Sequence, residues 1–354
     1  MTSFANNLGG CVGNIELSLA INSNPRSNPI LSGQISPQGV DLRCSRLHAS
    51  ELFWRQLGYQ EFQISEMSMS SLLISIANGI DTWVAIPVFT TRRFFHTGVL
   101  VREGAGIETP ADLAGCRIGV PEYQQTAALW TRGILQHEYG VDPKSMRWWM
   151  ERPPEKSHGG ATGFTAPEGI DLTYISPETD MGEMLLNGEL DAALHYLAGT
   201  NNLVDRSSKP LGEAGSGVRH LFNEREESSR YFQKTGLFPI NHCVVVRKDI
   251  AERYPWVMLN LYSAFLEAKQ LAEAASLAGS TNSSAVNSTG IDPFLDTGLI
   301  SLESRDALKT DLYPYGVVGN REILETITQY SYEQGLSSRK LDLAEVFYPP
   351  TLEL

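Results

Sequence analysis

The stretch from Phe89 to Arg132 gathers cations, imidazole and a polar helix start close together. FTTRRFFHTGVLV leaves an apolar strand, and after a gap GCRIGVPEYQQTAALWTRG carries a second strand, Arg117 to Val120, into Pro121-Glu122-Tyr123. A guanidinium grips a carboxylate through paired hydrogen bonds. Imidazole exchanges protons near neutral pH, and the amides that open a helix favour an anion. Together these residues predict a pocket for a small anion, either bound there or chemically changed.

The elements that must position them alternate between strand and helix. Ile15 to Ile21 and Val40 to Leu47 read as strands, with a helix through Ser50-Glu51-Leu52-Phe53-Trp54 after the second. Phe62 to Met67 predicts a third strand, running into a helix from Ser70 to Asn78 that Gly79 stops. Trp83 to Phe89 and Gly98 to Val101 are β-branched strands, and Thr109-Pro110 opens a short helix with Pro at its first position. A second unit follows: helix 123–138, strands 146–150 and 171–175, helix 179–187 and strand Leu190 to Leu194. Residues 152–169 are rich in Pro, Gly and Ser and predict a surface loop. Phe238 to Arg247 predicts a core strand, followed by an amphipathic helix from Pro255 to Ala275, and helix 321–334 ends at Gly335. This alternation predicts an α/β architecture with a largely parallel sheet. Residues 276–290, SLAGSTNSSAVNSTG, predict a mobile low-complexity insertion.

Composition narrows the function classes. The chain has 354 residues, 42% hydrophobic and 19% charged, enough for two lobes and a large core. With 28 Lys plus Arg against 41 Asp plus Glu, the formal charge is -13. That argues against nucleic acid or an anionic membrane as partner, since both require a dense basic face. No secretory leader and no membrane-length apolar run is visible, and Cys11, Cys44, Cys116 and Cys243 lack metal-type spacing. A cytoplasmic protein with reduced thiols is expected.

The order of these elements resembles the type II periplasmic-binding-protein fold, in which the chain crosses twice between two α/β lobes and a ligand lies in the cleft. The resemblance implies crossings near Gly119 to Glu122 and Phe238 to His242. Lobe 1 would then comprise residues 1–118 and 240–354, and lobe 2 residues 119–239. Within that fold the chain resembles the 4,5-dihydroxyphthalate decarboxylases from about Gly39 to its end. The segments that carry this are FQISEMSMSSLLISIANG, AIPVFTTRRFFHTGVLV, GVPEYQQTAALWTRGIL, YFQKTGLFPINHCVVVRKD and YPYGVVGNREILETITQYSYEQGLS. Two departures stand out. Family members typically read Arg-x-Phe-Arg-His where this chain has Phe95 in place of the second Arg. After GELDAAL an Arg-containing segment is expected, yet His195-Tyr196 follows. Both bear on the ring-substituent pattern accepted.

The resemblance implies cofactor-independent decarboxylation of a hydroxylated aryl acid. That chemistry needs an acid at the carboxyl-bearing carbon, a partner for the phenol and a cation for the second carboxylate. Arg92 is the candidate clamp, the alternative being an inter-strand ion pair; Arg93 should point to the opposite face, into solvent. His96 is either the general acid or a structural histidine. His242 and Glu122 are further acid–base candidates, Glu122 alternatively complementing a helix dipole. Glu66, Ser68 and Ser70 sit at a strand end of the kind that faces ligands, although serines there commonly cap helices. Tyr123, Gln124 and Thr126 open a helix beside them; Trp130 is read as packing and Arg132 as surface. His195 and Tyr315 complete the expected substrate contacts. No metal is expected, because no short ligand motif accompanies the histidines. The expected partner is a small aromatic carboxylate, with homo-oligomerisation left open. A non-catalytic anion-binding protein and a biosynthetic enzyme of the same fold remain competing readings.

Overall fold

The computed structural model describes residues 13–279, 311 and 313–354. In chain order its strands are β1 (Ile15–Ile21), β2 (Val40–Arg46), β3 (Ile64–Ser68), β4 (Trp83–Arg92), β5 (Leu100–Arg102), β6 (Arg117–Val120), β7 (Arg147–Met150), β8 (Asp171–Tyr174), β9 (Ala192–Ala193), β10 (Val218–His220) and β11 (Ile240–Arg247). They form two sheets, ordered β2-β1-β3-β11-β4 and β10-β5-β9-β6-β7-β8. Helices pack against both, giving the two-lobe α/β architecture expected.

The first sheet is not wholly parallel. β1 runs parallel to β2 and β3, but β11 enters antiparallel between β3 and β4. The strand that returns from the second lobe therefore lies in the middle of the first. Its pairing with β4 is irregular, with register shifts between Ile240 and Val244. Such bulges bend a strand and re-aim its side chains. All of β11 but Arg247 is buried, as its run of β-branched residues requires.

Sheet membership corrects the lobe boundary expected at 118/119. Both β5 and β6 hydrogen-bond into the second sheet. The first crossing therefore follows β4 and passes through a 3₁₀ turn, Phe95–Gly98. The chain comes back through the helix Glu224–Thr235, which Asn223 caps, and Gly236 at φ 69° ends it before β11. The two crossings are fastened side by side: the Arg93 amide donates to the Pro239 carbonyl at 3.2 Å, and the Phe94 and Phe238 rings lie 4.9 Å apart. The boundary was displaced because β5 and β6 are only three and four residues long, too short for periodicity to reveal their partners.

Two other expectations change. The loop after β7 is a surface feature only in part: Pro154, Glu155, Gly160 and Gly163 are exposed, but Arg152, Ser157, His158 and Thr162 are buried in it. Arg132 is also fully buried: Nε donates to Gln334 Oε1 at 2.9 Å and Nη1 to the Tyr123 carbonyl at 2.7 Å. Trp130 packs in the core as read. Of the 276–290 stretch, the first residues continue the helix Trp256–Gly279, and the remainder lies outside the described residues. Among the described residues no helix is long and apolar enough to cross a membrane.

The helix Thr126–Tyr139 joins the lobes by packing against the helix Arg321–Glu333. Gly133 permits this contact: a Cβ there would fall 2.1 Å from Cδ2 of Tyr330. Gly133→Ala is expected to lower stability by about 1–3 kcal/mol through overpacking, read as a lower urea midpoint at unchanged m-value.

Candidate functional site

A cavity of about 200 Å³ lies where the strand ends of the two sheets face each other. An apolar cavity of about 150 Å³ holds benzene, so this one suits a single substituted ring. The first lobe lines it with Asn22 after β1, His48, Ser50 and Phe53 at a helix start, Ser68 ending β3, Thr91 and Arg93 at the end of β4, and Asn241 and His242 on β11. The second lobe and the crossing supply Phe95, Gln125, Thr126, Arg152, His158, His195 and Leu197.

His242 is fixed from behind by Glu66. Its Nδ1 lies 2.7 Å from Glu66 Oε1, and the Phe53 ring meets the imidazole edge-on at 4.7 Å. Glu66 is fully buried and also accepts from the Asn22 amide (2.9 Å) and the Thr90 hydroxyl (2.6 Å). Burial pushes the Glu66 carboxyl up, but the hydrogen bond and charge of His242, with Thr90 and Asn22, outweigh it and hold it below the usual range. On the cavity side the Asn241 amide nitrogen lies 2.8 Å from His242 Nε2, while Asn241 Oδ1 has no partner among the described residues. Half a turn of this amide would exchange donor for acceptor, so His242 can be satisfied with either one proton or two.

The second lobe presents a saturated ionic cluster. Arg152 donates from Nη1 to Glu122 at 3.0 Å and from Nε and Nη2 to Asp205 at 2.9 and 2.6 Å. His158 bridges Glu122 (Nε2, 3.0 Å) and the Ser71 hydroxyl (Nδ1, 2.8 Å), so both its ring nitrogens are engaged. Burial pushes His158 down. It also lowers Arg152, but the Glu122 and Asp205 carboxylates outweigh it and keep the guanidinium above its usual range. By contrast, the Arg93 side chain is 58% exposed, and its nearest carboxylate, Glu224, stands 3.8 Å away. Arg93 is the loosely held cation at this cavity.

Only some of the residues expected from sequence meet here. His242, Ser68, Thr126 and His195 line the cavity. Glu66 and Glu122 stand behind it and orient His242, His158 and Arg152. Ser68 and Thr126 join the lobes through a 2.8 Å hydroxyl contact, and the same Thr126 oxygen accepts from the Ser70 amide at 3.0 Å. Gln124 is buried and bonds to Glu122 and Ser157 rather than facing the cavity.

Arg92 is the main correction. It is 7% exposed, donates to the Phe238 and Pro314 carbonyls at 3.2 and 2.9 Å and also bonds to Asn320 Oδ1. Burial pushes it down to about 10. Adjacent strand residues point to opposite faces, and here Thr91 and Arg93 face the cavity while Arg92 braces the crossings. His96 likewise turns away: it is fully buried, with Nε2 2.9 Å from Glu227 Oε1. Tyr123 lies under the Arg132 guanidinium at 3.8 Å, and Tyr315 packs near Lys269 outside the cavity. Reasoning from sequence missed His48, Arg152 and His158. The only signal was their residue type, in segments read as a helix start and a surface loop.

Among the described residues no group of three or more His, Cys, Asp or Glu side chains is arranged to hold a metal ion. The arrangement can hold an anion at Arg93, deliver a proton from His242 and hydrogen-bond ring substituents.

No family model matches the chain. It is 32% identical over 340 residues to a 4,5-dihydroxyphthalate decarboxylase of Comamonas testosteroni, covering 96% of this chain and 98% of the relative. A 4,5-dihydroxyphthalate decarboxylase of Pseudomonas putida is 34% identical over 181 residues, 51% of this chain and 70% of that protein. Among solved structures, the periplasmic aliphatic sulphonate binding protein SsuA of Escherichia coli aligns with a TM-score of 0.51 at 14% identity, over 97% of this chain and 100% of its own. A Bordetella bronchiseptica RB50 protein aligns with a TM-score of 0.50 at 14% identity, over 96% of each chain. The structural likenesses show a periplasmic-binding-protein-like fold. The full-length identity shows the family: this chain belongs to the 4,5-dihydroxyphthalate decarboxylases.

Proposed function

We propose that this chain is a non-oxidative decarboxylase of a hydroxylated aromatic carboxylic acid, converting 4,5-dihydroxyphthalate to 3,4-dihydroxybenzoate and CO₂. The observation that carries this, beside the family, is His242: an imidazole at the cavity wall, backed at 2.7 Å by a fully buried carboxylate and placed in the same cavity as Arg93.

Direct loss of CO₂ from an aryl carboxylate would leave an aryl carbanion, which is too basic to form readily. Protonating the ring first avoids it. The His242 imidazolium gives its Nε2 proton to the carboxyl-bearing carbon while the phenolic oxygens release electron density into the ring. The carbon–carboxyl bond then breaks, its electron pair restores the aromatic ring, and CO₂ leaves. Neutral His242 keeps its proton on Nδ1, donated in a hydrogen bond to Glu66, and regains the other from solvent. The Asn241 amide follows the exchange by turning. Arg93 holds the carboxylate that stays, because Arg152 has its donors committed to Glu122 and Asp205. The step consumes one proton and needs no redox partner. A cytoplasmic location is part of this proposal, supported by the free thiols of Cys44, Cys116 and Cys243.

Purified protein supplied with 4,5-dihydroxyphthalate should release CO₂ and form 3,4-dihydroxybenzoate by mass spectrometry, with or without chelator. Tight binding without CO₂ release would instead make the chain an anion-binding protein, and chelator-sensitive turnover would overturn the metal-free mechanism. His242→Ala should lower kcat by about 10²–10⁴-fold, the usual contribution of a positioned acid. Arg93→Ala should act mainly on KM. Arg92→Ala should instead destabilise the fold by about 1–3 kcal/mol, because it strips donors from buried carbonyls. Thermal melting beside steady-state kinetics separates the two arginines.

A further inference from the structure

His195 differs from the other histidines of the cavity. His48 Nδ1 accepts from the Ser50 amide at 3.3 Å, His242 Nδ1 lies 2.7 Å from Glu66 and His158 is held at both nitrogens. The His195 ring nitrogens have no hydrogen-bond partner among the described residues, and the side chain lines the cavity. The residue sits just after β9 with φ 50°, a left-handed conformation uncommon outside glycine and concentrated at functional positions. The Phe95 ring packs edge-on at 5.6 Å and limits how the imidazole can turn. Burial, with the nearby charges of Arg93 and Arg152, pushes His195 down to about 3, so the ring is neutral at physiological pH.

A neutral imidazole offers one N–H and one lone pair and no charge. A carboxylate only accepts hydrogen bonds and is better served by Arg93. A phenolic hydroxyl both donates and accepts, which is what His195 can meet. We infer that His195 is the specificity-determining residue for a ring hydroxyl, holding the phenolic O–H of the aromatic acid against the Phe95 wall. This rests on the decarboxylase reading for the identity of the ligand, but it concerns recognition rather than CO₂ loss. A polar group placed to bond a substrate hydroxyl penalises analogues that lack it, because it is left unpaired in the complex.

The test compares binding of 4,5-dihydroxyphthalate and of phthalate, which keeps both carboxylates and lacks both hydroxyls, by calorimetry on the full chain carrying His242→Ala, so that the dihydroxy ligand is not consumed during the titration. The variants are His195→Gly and His195→Asn, both compatible with the left-handed backbone. With His195 in place this protein should prefer the dihydroxy ligand by about 10–100-fold. His195→Gly should bring that ratio close to one by weakening the dihydroxy ligand alone, and His195→Asn should retain part of it. A ratio unchanged in His195→Gly, an equal loss for both ligands, or no preference with His195 in place would overturn the assignment. Because binding is scored in the His242→Ala background and CO₂ release separately on the wild type, a collapsed ratio beside a wild type that releases no CO₂ would sustain the hydroxyl contact while refuting the enzyme.

Discussion

A carboxylate with no exposed surface must collect donors or give up its charge, and Glu66 collects them from three directions. The amide of Asn22 comes from the end of β1, the Thr90 hydroxyl from β4 and the His242 imidazole from β11. Only the strand order β1-β3-β11-β4 brings these donors around one side chain on β3. The insertion of the returning strand and the placing of the cavity histidine His242 are therefore one structural event. Removing the negative charge would leave β11 paired by its backbone but would free the imidazole that the cavity depends on.

Arginines in this acidic chain divide between holding the fold and meeting a ligand. Arg92 is buried and spends donors on the backbone carbonyls of distant Phe238 and Pro314, and buried Arg132 spends its own on the nearby Tyr123 carbonyl and the distant Gln334 side chain. Arg152 is neutralised by two carboxylates. Desolvating a guanidinium is costly, and each buried one is repaid by a fixed network that leaves little to offer a mobile anion. Arg93, still hydrated and with its carboxylate at 3.8 Å, has its charge available.

How much of this was legible in the sequence depended on the range of the interaction. Ile15–Ile21 was read with its boundaries correct because apolar alternation is local, and Gly79 and Gly335 stop helices for local reasons as well. The polar start at Ser68 and the family segment around His242 pointed to cavity residues. Alternation placed Arg92 and Arg93 on opposite faces, but not which face the second lobe would cover. That depends on β11 pairing with β4 across more than a hundred residues, with a bulge between. The Pro- and Gly-rich run after Met150 signalled a loop, and it forms no strand and only one four-residue helix, Gly159–Thr162. Composition says nothing about burial, and Arg152 and His158 are buried because the opposite lobe supplies Ser71 and covers them.

That same run is tied to the first lobe as a strap. The Trp54 indole donates to the Glu155 carbonyl at 2.9 Å, Ser71 meets His158 at 2.8 Å and the Asn78 amide donates to the Thr162 carbonyl at 3.0 Å. Each links an element of the first lobe to the second. Each is a neutral bond of the kind worth about 0.5–1.5 kcal/mol net, so together they hold the lobes to one another without locking them. Trp54 and Asn78 are absent from the cavity lining. The hold between the lobes can therefore be adjusted at Trp54 or Asn78 without altering any residue of the cavity lining, which leaves the firmness of that hold and the shape of the cavity free to evolve separately.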